Sequence, residues 1–399
     1  MKLEGSKIDF LGDSITEGCG TSGPDCRFSA LLQRNCKLAA ARNYGIGGTR
    51  YARQRVPSES PYTDMDFCGR AGQMDRDADV VFVFGGTNDF GHGDAPFGGP
   101  EDRTPDKSTI YDECDAVGIN YNLGIYDAVH KMRPDKPIFA SECCATGTTR
   151  DWNFDTAVSG RIRDKDRDTN DWFLGREKTY KFLRERSYVF GCYQWAAVEH
   201  RGEAAWPRVC SCSGALDLFL QKKGAFYQNK SHWSAEPMAH IVPHWNFKGL
   251  EGKEIPVTVY TNCEELELFL NGKTLGKQQI EKYGHGEWSV EYIPGTPEVK
   301  GYIGGKEGCC DKRVTTGRPA ALKLTQDNDF TANGSDIALF TCECVDENGL
   351  AVPDAAEYVR FSVSAPAKII GTGSDNCDHN NVANTDRKMY MGKIRVAVK

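Results

Sequence analysis

Residues 7–18, KIDFLGDSITEG, run an apolar strand pattern straight into Gly12-Asp13-Ser14 and the opening of a helix. A short apolar run followed by small and helix-opening residues is the start of a strand–turn–helix unit. Downstream, residues 27–40 (RFSALLQRNCKLAA) have helical spacing, and residues 43–48 (NYGIGG) read as a strand end and turn. Residues 79–86 (DVVFVFGG) form a continuous apolar run, the pattern of a parallel strand buried on both faces. Strand, helix, strand, helix, strand predicts a doubly wound parallel sheet. Residues 91–106, GHGDAPFGGPEDRTPD, then break the composition as a Gly/Pro/Asp loop.

A second set of α/β patterns begins near Asp115, with strands predicted over 116–121, 137–142 and 188–196 and helices between them. After Trp233 the character turns all-β. Residues 255–260 and 266–270 alternate apolar and polar, and Asn271-Gly272 between them and the next strand is a strong hairpin signal. Arg318-Pro319 marks a boundary between two such modules, so two β-sandwiches of about 80 residues each are expected.

Composition narrows the class. Of 399 residues, 39% are hydrophobic, enough for real cores, which excludes a disordered chain. A net charge of −7 leaves no footprint for nucleic acid or an anionic membrane. The 16 cysteines are scattered or adjacent, as in Cys143-Cys144 and Cys309-Cys310, and none has zinc-site spacing. The N-terminal MKLEGSKIDFLGDS carries no apolar signal-peptide region, and no apolar run has the length of a membrane span. A soluble, cytoplasmic protein with mostly reduced thiols and no metal is expected. Residues 164–171, DKDRDTND, lack the spacing of a calcium loop and read as a solvated face. Trp206, Trp233 and Trp245 suit core packing better than sugar stacking.

Ser14 lies where a parallel sheet binds ligands, at the C-terminal end of its first strand. It is either a nucleophile or a helix N-cap. Gly48 offers a backbone N–H and Asn88 a side-chain amide on neighbouring strand ends, the donors an oxyanion hole needs. His92-Gly-Asp94 nearby is either substrate-facing or a polar loop. Together, Gly12-Asp13-Ser14, the Gly47-Gly48 turn and Gly86-Thr87-Asn88-Asp89 resemble the first three blocks of the SGNH (GDSL-type) esterase family. The resemblance implies Ser14 as nucleophile, with Gly48 and Asn88 holding the oxyanion. That family's fourth element is an Asp-x-x-His base pair, and Asp127-Ala-Val-His130 is the spacing considered for it here. It comes early for the role.

Three further strand ends carry polar groups: Asn120, Glu142 and Gln194-Trp195. A carboxylate such as Glu142 at a strand terminus is either a solvated cap or a glycosidase nucleophile. The run from about residue 110 onward resembles the C-terminal part of glycoside hydrolase family 2, the β-galactosidase group. The matching stretches are Lys136-Pro-Ile-Phe-Ala-Ser-Glu142, Tyr193-Gln-Trp195 through Arg201-Gly-Glu203, and Pro243-His-Trp-Asn246. Two more, residues 267–273 and 317–320, match the β-sandwich modules. The resemblance implies Glu142 as nucleophile and Trp195 in the sugar subsite, with Asn120, Glu199 and His200 as substrate contacts. Glu199-His200 stands where the family usually has Asp-Tyr.

The same family supplies its acid/base from an Asn-Glu pair, and no Asn precedes Glu anywhere in this chain. A barrel needs about 250 residues, and far fewer stand in for it here. The expected fold class is therefore multidomain α/β plus all-β. By resemblance, residues 1–108 are an SGNH-like partial doubly wound sheet, and 109–234 are part of a family 2 (β/α)8 barrel. A β-sandwich over 235–316 and an immunoglobulin-like one over 317–399 follow. The implied function is an impaired retaining β-galactosidase-like hydrolase. An esterase using Ser14 and a non-catalytic fusion are the alternatives. A carbohydrate or acylated carbohydrate is the expected substrate, with no cofactor.

Overall fold

The computed structural model describes residues 3–51, 65–85, 88, 115–153, 160–166 and 175–399. The Gly/Pro/Asp loop, His92, Asp94 and the join near residues 107–114 lie outside the described residues. The chain divides into two compact units. One comprises Met1–Asn120 with Gly124–Pro137, the other Tyr121–Leu123 with Ile138–Lys399.

In the first unit, strand β1 (Lys7–Gly12) lies between β2 (Ala40–Gly45) and β3 (Val80–Phe84), parallel to both. The order β2-β1-β3 reverses direction at β1, and loops leaving the strand ends at such a reversal form ligand crevices. Helix α1 (Ser14–Glu17) follows β1, α2 (Phe28–Cys36) precedes β2, and α3 (Phe67–Ala71) precedes β3. Helix α2 stops short of the predicted Ala40 because Lys37 turns left-handed (φ 51°) and releases the chain into β2. Ile8, Phe10 and Leu38 are buried together, with Phe10 edge-on to Phe28 at 5.4 Å. Strand β3 departs from the expectation of burial on both faces: Val81 is 48% and Phe82 45% exposed. Strand β4 (Val117–Asn120) and helix α4 (Tyr126–Met132) complete this unit, tied by the Tyr126 hydroxyl donating to the Ile119 carbonyl at 3.2 Å.

The second unit opens with β5 (Ile138–Cys143) and β6 (Val189–Gln194), which pair in parallel. Helix α5 (Arg176–Arg184) leads into β6 and buries Tyr180 and Leu183, and α6 (Gly224–Trp233) follows. A β-sandwich comes next. Strands β7 (Ala239–Val242), β8 (Glu254–Thr261) and β11 (His285–Glu291) form one sheet in the order β11-β8-β7. Strands β9 (Glu265–Leu270), β10 (Lys273–Gln279), β12 (Pro297–Ile303) and β13 (Lys306–Lys312) form the other, in the order β10-β9-β12-β13. Alternation puts Val257 and Val259 of one sheet against Leu266, Leu268 and Val299 of the other, around a fully enclosed Trp245. Asn271 and Gly272 both have positive φ, 52° and 79°, as a two-residue type I′ hairpin requires.

The last sandwich sets β14 (Ala321–Gln326), β15 (Ala338–Val345), β17 (Ile369–Gly373) and β19 (Lys393–Val398) in the order β14-β15-β19-β17. The short pair β16 (Tyr358–Arg360) and β18 (Asp386–Lys388) lies beyond them. Cys342, Cys344, Val359, Ile394 and Val396 share its core. The buried Arg150 fastens this sandwich to the α/β part of its unit, bonding Asp217 (2.7 Å) and the carbonyls of Ser374 and Tyr390. Among the described residues, no helix is long and apolar enough to cross a membrane.

Candidate active site

At the end of β1, the residue that caps α1 is Asp13 rather than Ser14. The Asp13 carboxylate accepts the Ile15 N–H at 3.0 Å, so the Ser14 hydroxyl is released from the capping role. The Gly47 N–H donates to Glu17 at 2.6 Å, and a Cβ built on Gly47 would lie 3.6 Å from the Ser14 Cβ. The Gly45–Gly48 turn thus passes directly over the start of α1. Gly48 needs its left-handed backbone (φ 79°) to make that turn. The Asn88 amide donates to the Thr49 carbonyl at 3.0 Å, next to Gly48. Ser14, Gly48 and Asn88 therefore gather at one end of the sheet. Asp127 and His130 sit one turn apart on α4, and among the described residues no histidine bonds the Ser14 hydroxyl.

The second unit holds a different constellation. Glu142 is the penultimate residue of β5, and the Tyr121 N–H donates to its carbonyl at 2.9 Å. Directly after β6, the Trp195 backbone N–H donates to the Cys143 carbonyl at 2.7 Å, which ties Trp195 to the strand end that carries Glu142. The indole N–H in turn donates to Oε2 of Glu203 at 3.1 Å. His200 Nε2 lies 3.5 Å from the same oxygen and its ring packs edge-on to Trp195 at 5.3 Å. The loop bearing His200 is fixed by two bonds to Ser211, one from each backbone direction (3.1 and 2.7 Å).

Electrostatics tie these groups together. Burial, and then the charge of Glu203, push the Glu142 carboxyl up to about 7. Burial followed by the charges of Glu142 and Glu203 pushes the Tyr121 phenol well above its ordinary range. A buried carboxyl beside a like charge holds its proton to higher pH than a solvated one. Glu203 escaped the sequence reading. Its only signal was the Arg201-Gly202-Glu203 run after β6, and nothing in that run reports its bond to the Trp195 indole.

The other expected contacts divide. Trp195 and His200 are brought together at Glu203, and the Trp195 backbone is bonded to that of Cys143, the residue after Glu142. Glu199 is spent inside the fold: its side chain and that of Lys223 are both fully enclosed and pair at 2.7 Å, with the Leu218 N–H donating at 3.2 Å. That engagement differs from the substrate contact expected of it. Asn120 ends β4 in the first unit. Trp245 is in a core as expected, whereas Trp206 and Trp233 are 84% and 54% exposed. Among the described residues, no group of three or more His, Cys, Asp or Glu is arranged to hold a metal ion.

Comparison with known proteins matches both parts. Residues 10–181 match the GDSL-like lipase/acylhydrolase family. Residues 252–309 match a domain of unknown function, DUF4982, and residues 322–399 match the glycoside hydrolase family 2 C-terminal domain 5. The β-galactosidase BoGH2A of Bacteroides ovatus is 30% identical over 307 residues, covering 71% of this chain and 36% of that protein. A β-glucuronidase of Formosa agariphila is 31% identical over 291 residues, 67% of this chain and 28% of that protein. The chain thus spans about a third of the length of these curated relatives. Among solved structures, a β-glycosidase from Bacteroides vulgatus superposes with a TM-score of 0.69 at 21% identity, covering all of this chain and 61% of that one. A family 2 β-glucuronidase gives a TM-score of 0.57 at 28% identity over 67% of this chain and 29% of its own.

Proposed function

We propose that this chain, which joins a GDSL-like hydrolase segment to C-terminal domains of glycoside hydrolase family 2, is a carbohydrate-active hydrolase with Glu142 as the nucleophile of a retaining reaction on β-galactosides or β-glucuronides. The observation that carries this reading is the Glu142 carboxyl, raised to about 7 at the end of β5, with Trp195 directly after the parallel strand β6 and bonded to the backbone of Cys143. A retaining glycosidase needs one carboxylate to bond the anomeric carbon and a second carboxyl to move a proton. An apolar indole such as that of Trp195 suits the face of a sugar ring. The nucleophile works ionised, so with Glu142 titrating at about 7 its reactive fraction grows as pH rises through neutrality.

The test is covalent trapping on the full chain. A 2-deoxy-2-fluoro-β-galactoside and the matching β-glucuronide, each with a dinitrophenyl leaving group, are expected to add one glycosyl mass at Glu142. The adduct should be absent from Glu142→Gln. No adduct with either sugar would overturn the reading.

The gathering of Ser14, Gly48 and Asn88 favours a second reading, acyl transfer at the end of β1. A fluorophosphonate adduct on Ser14 would support it. A chain that takes neither label is a non-catalytic fusion.

A further inference from the structure

The last sandwich and the segment ahead of α5 form a cavity that neither proposed reaction uses. It measures about 410 Å³, the size of a small-molecule pocket, and Glu142, Trp195 and Glu203 are not among the residues that line it. We propose that this cavity binds one neutral pyranose residue of a saccharide, stacked on Tyr358 and held through its hydroxyls by Lys388, Asp354 and Asn380. The inference does not depend on the chemistry of Glu142.

The buried side of the lining is fixed in advance. Arg161 bonds the Asp375 carboxylate, and its guanidinium lies 5.1 Å from the Tyr390 ring and 5.6 Å from that of Trp152. Asp375 also accepts the Cys377 N–H at 3.0 Å, and the Tyr390 hydroxyl donates to the Arg150 carbonyl at 3.0 Å. Nε of Arg161 is buried with no hydrogen-bond partner among the described residues, a donor that the protein itself does not satisfy.

The exposed side keeps its polar groups available. Tyr358 of β16 is 69% exposed and stands directly opposite Lys388 of β18, so the two side chains leave the same face of that short ladder. Neither the Lys388 ammonium nor the Tyr358 hydroxyl has a partner among the described residues. Asp354 engages Oδ1 with the Asn246 amide at 2.8 Å and keeps Oδ2, while Asn380 donates its amide to Asp378 at 2.7 Å and keeps its carbonyl. An open aromatic ring, two donors and two acceptors match a pyranose, which has an apolar C–H face and hydroxyls that both donate and accept. Charge narrows the class. Three carboxylates, Asp354, Asp375 and Asp378, outnumber the two cations Arg161 and Lys388, so a neutral sugar is favoured over a uronate. Trp206, 84% exposed, lies 4.6 Å ring to ring from His379, the residue between Asp378 and Asn380, and adds aromatic surface against the same loop.

Photolabelling of the full chain tests the assignment. The probe is β-1,4-galactotriose carrying a diazirine at its reducing end, competed by free galactotriose or by cellobiouronic acid. Saturable label is expected on peptides from 354–391, displaced by galactotriose and about fivefold less well by the uronate. Tyr358→Ala and Lys388→Gln, each with an unchanged melting temperature, should lower that label by about three- to tenfold at fixed probe concentration. Label confined to other peptides, or label on 354–391 that ignores both substitutions, would overturn the site. Displacement by the uronate as good as that by galactotriose would overturn the neutral class. Fluoro-sugar trapping at Glu142 reports on the glycosidase reading separately. A chain that takes the diazirine label here but no fluoro sugar keeps the cavity's role and loses that reading, whereas the reverse result loses the cavity's role alone.

Discussion

Glu142 and Glu199 are carboxyls of the same unit with opposite fates. Glu199 is wholly enclosed, and although burial raises it, the Lys223 ammonium at 2.7 Å opposes that shift. Such a pair is costly to break, because the surviving partner is left charged in a dry site. Glu142 is raised instead, by burial first and then by the like charge of Glu203. Its folded value of about 7 stands above the ordinary 4.5. The stability that goes with its protonated form is complete below about 4.5 and is lost as pH rises through about 7. Glu142→Gln keeps the neutral form at every pH. Thermal unfolding from pH 5 to 8 should therefore show the variant gaining on the unsubstituted chain by roughly 1–3 kcal/mol, or about 2–8 °C. A gap that does not change with pH would contradict this. Ser14 shows what a residue-level reading leaves open. Asp13 and Ser14 are both good caps, and only the bond from the Ile15 N–H to Asp13 decides which one is used.

Among the elements, the sandwich strands were the most legible. Their alternation fixes an inward and an outward face, and Asn271-Gly272 can take the two positive φ values that a tight hairpin needs. A tighter constraint lies on β12, where Gly301 pairs with Cys309 of β13 and Leu266 of β9. A Cβ at Gly301 would meet the sulfurs of Cys263 and Cys309 at 2.7 Å each, and those sulfurs are themselves 3.4 Å apart. Gly301→Ala is expected to cost about 1–3 kcal/mol in urea unfolding, the usual penalty of overpacking. Adding Cys309→Ala removes one of the two collisions and should recover part of that loss. Strictly additive losses would rule this explanation out.

In the whole molecule, the parallel sheet β2-β1-β3 is small for its apolar content. β3 reads VVFVF, yet Val81 and Phe82 are about half exposed, because β1 is its partner on one side and no described strand pairs with the other. A flat apolar edge of this kind is a template for association. Val81→Lys is expected to lower concentration-dependent light scattering on warming while changing stability by no more than about 0.5 kcal/mol. Unchanged scattering would show that β3 is not the sticky surface. The continuous apolar run correctly gave a strand; its burial depends on what is laid against it, which no local pattern records.

What the sequence by itself determined is the local alphabet of this protein. Strand, helix and hairpin positions and the location of Glu142 at a strand terminus follow from periodicity and turn chemistry within windows of a few residues, and the GDSL-like start from its resemblance to a family's motifs. Tertiary structure decided the partnerships: Glu199 with Lys223, Asn88 with Thr49, and Trp195 with Glu203. The physical reason is range. Backbone conformation is set by neighbours along the chain, whereas a carboxyl's proton and its hydrogen-bond partner are set by whatever charge and burial the fold brings to it from distant segments.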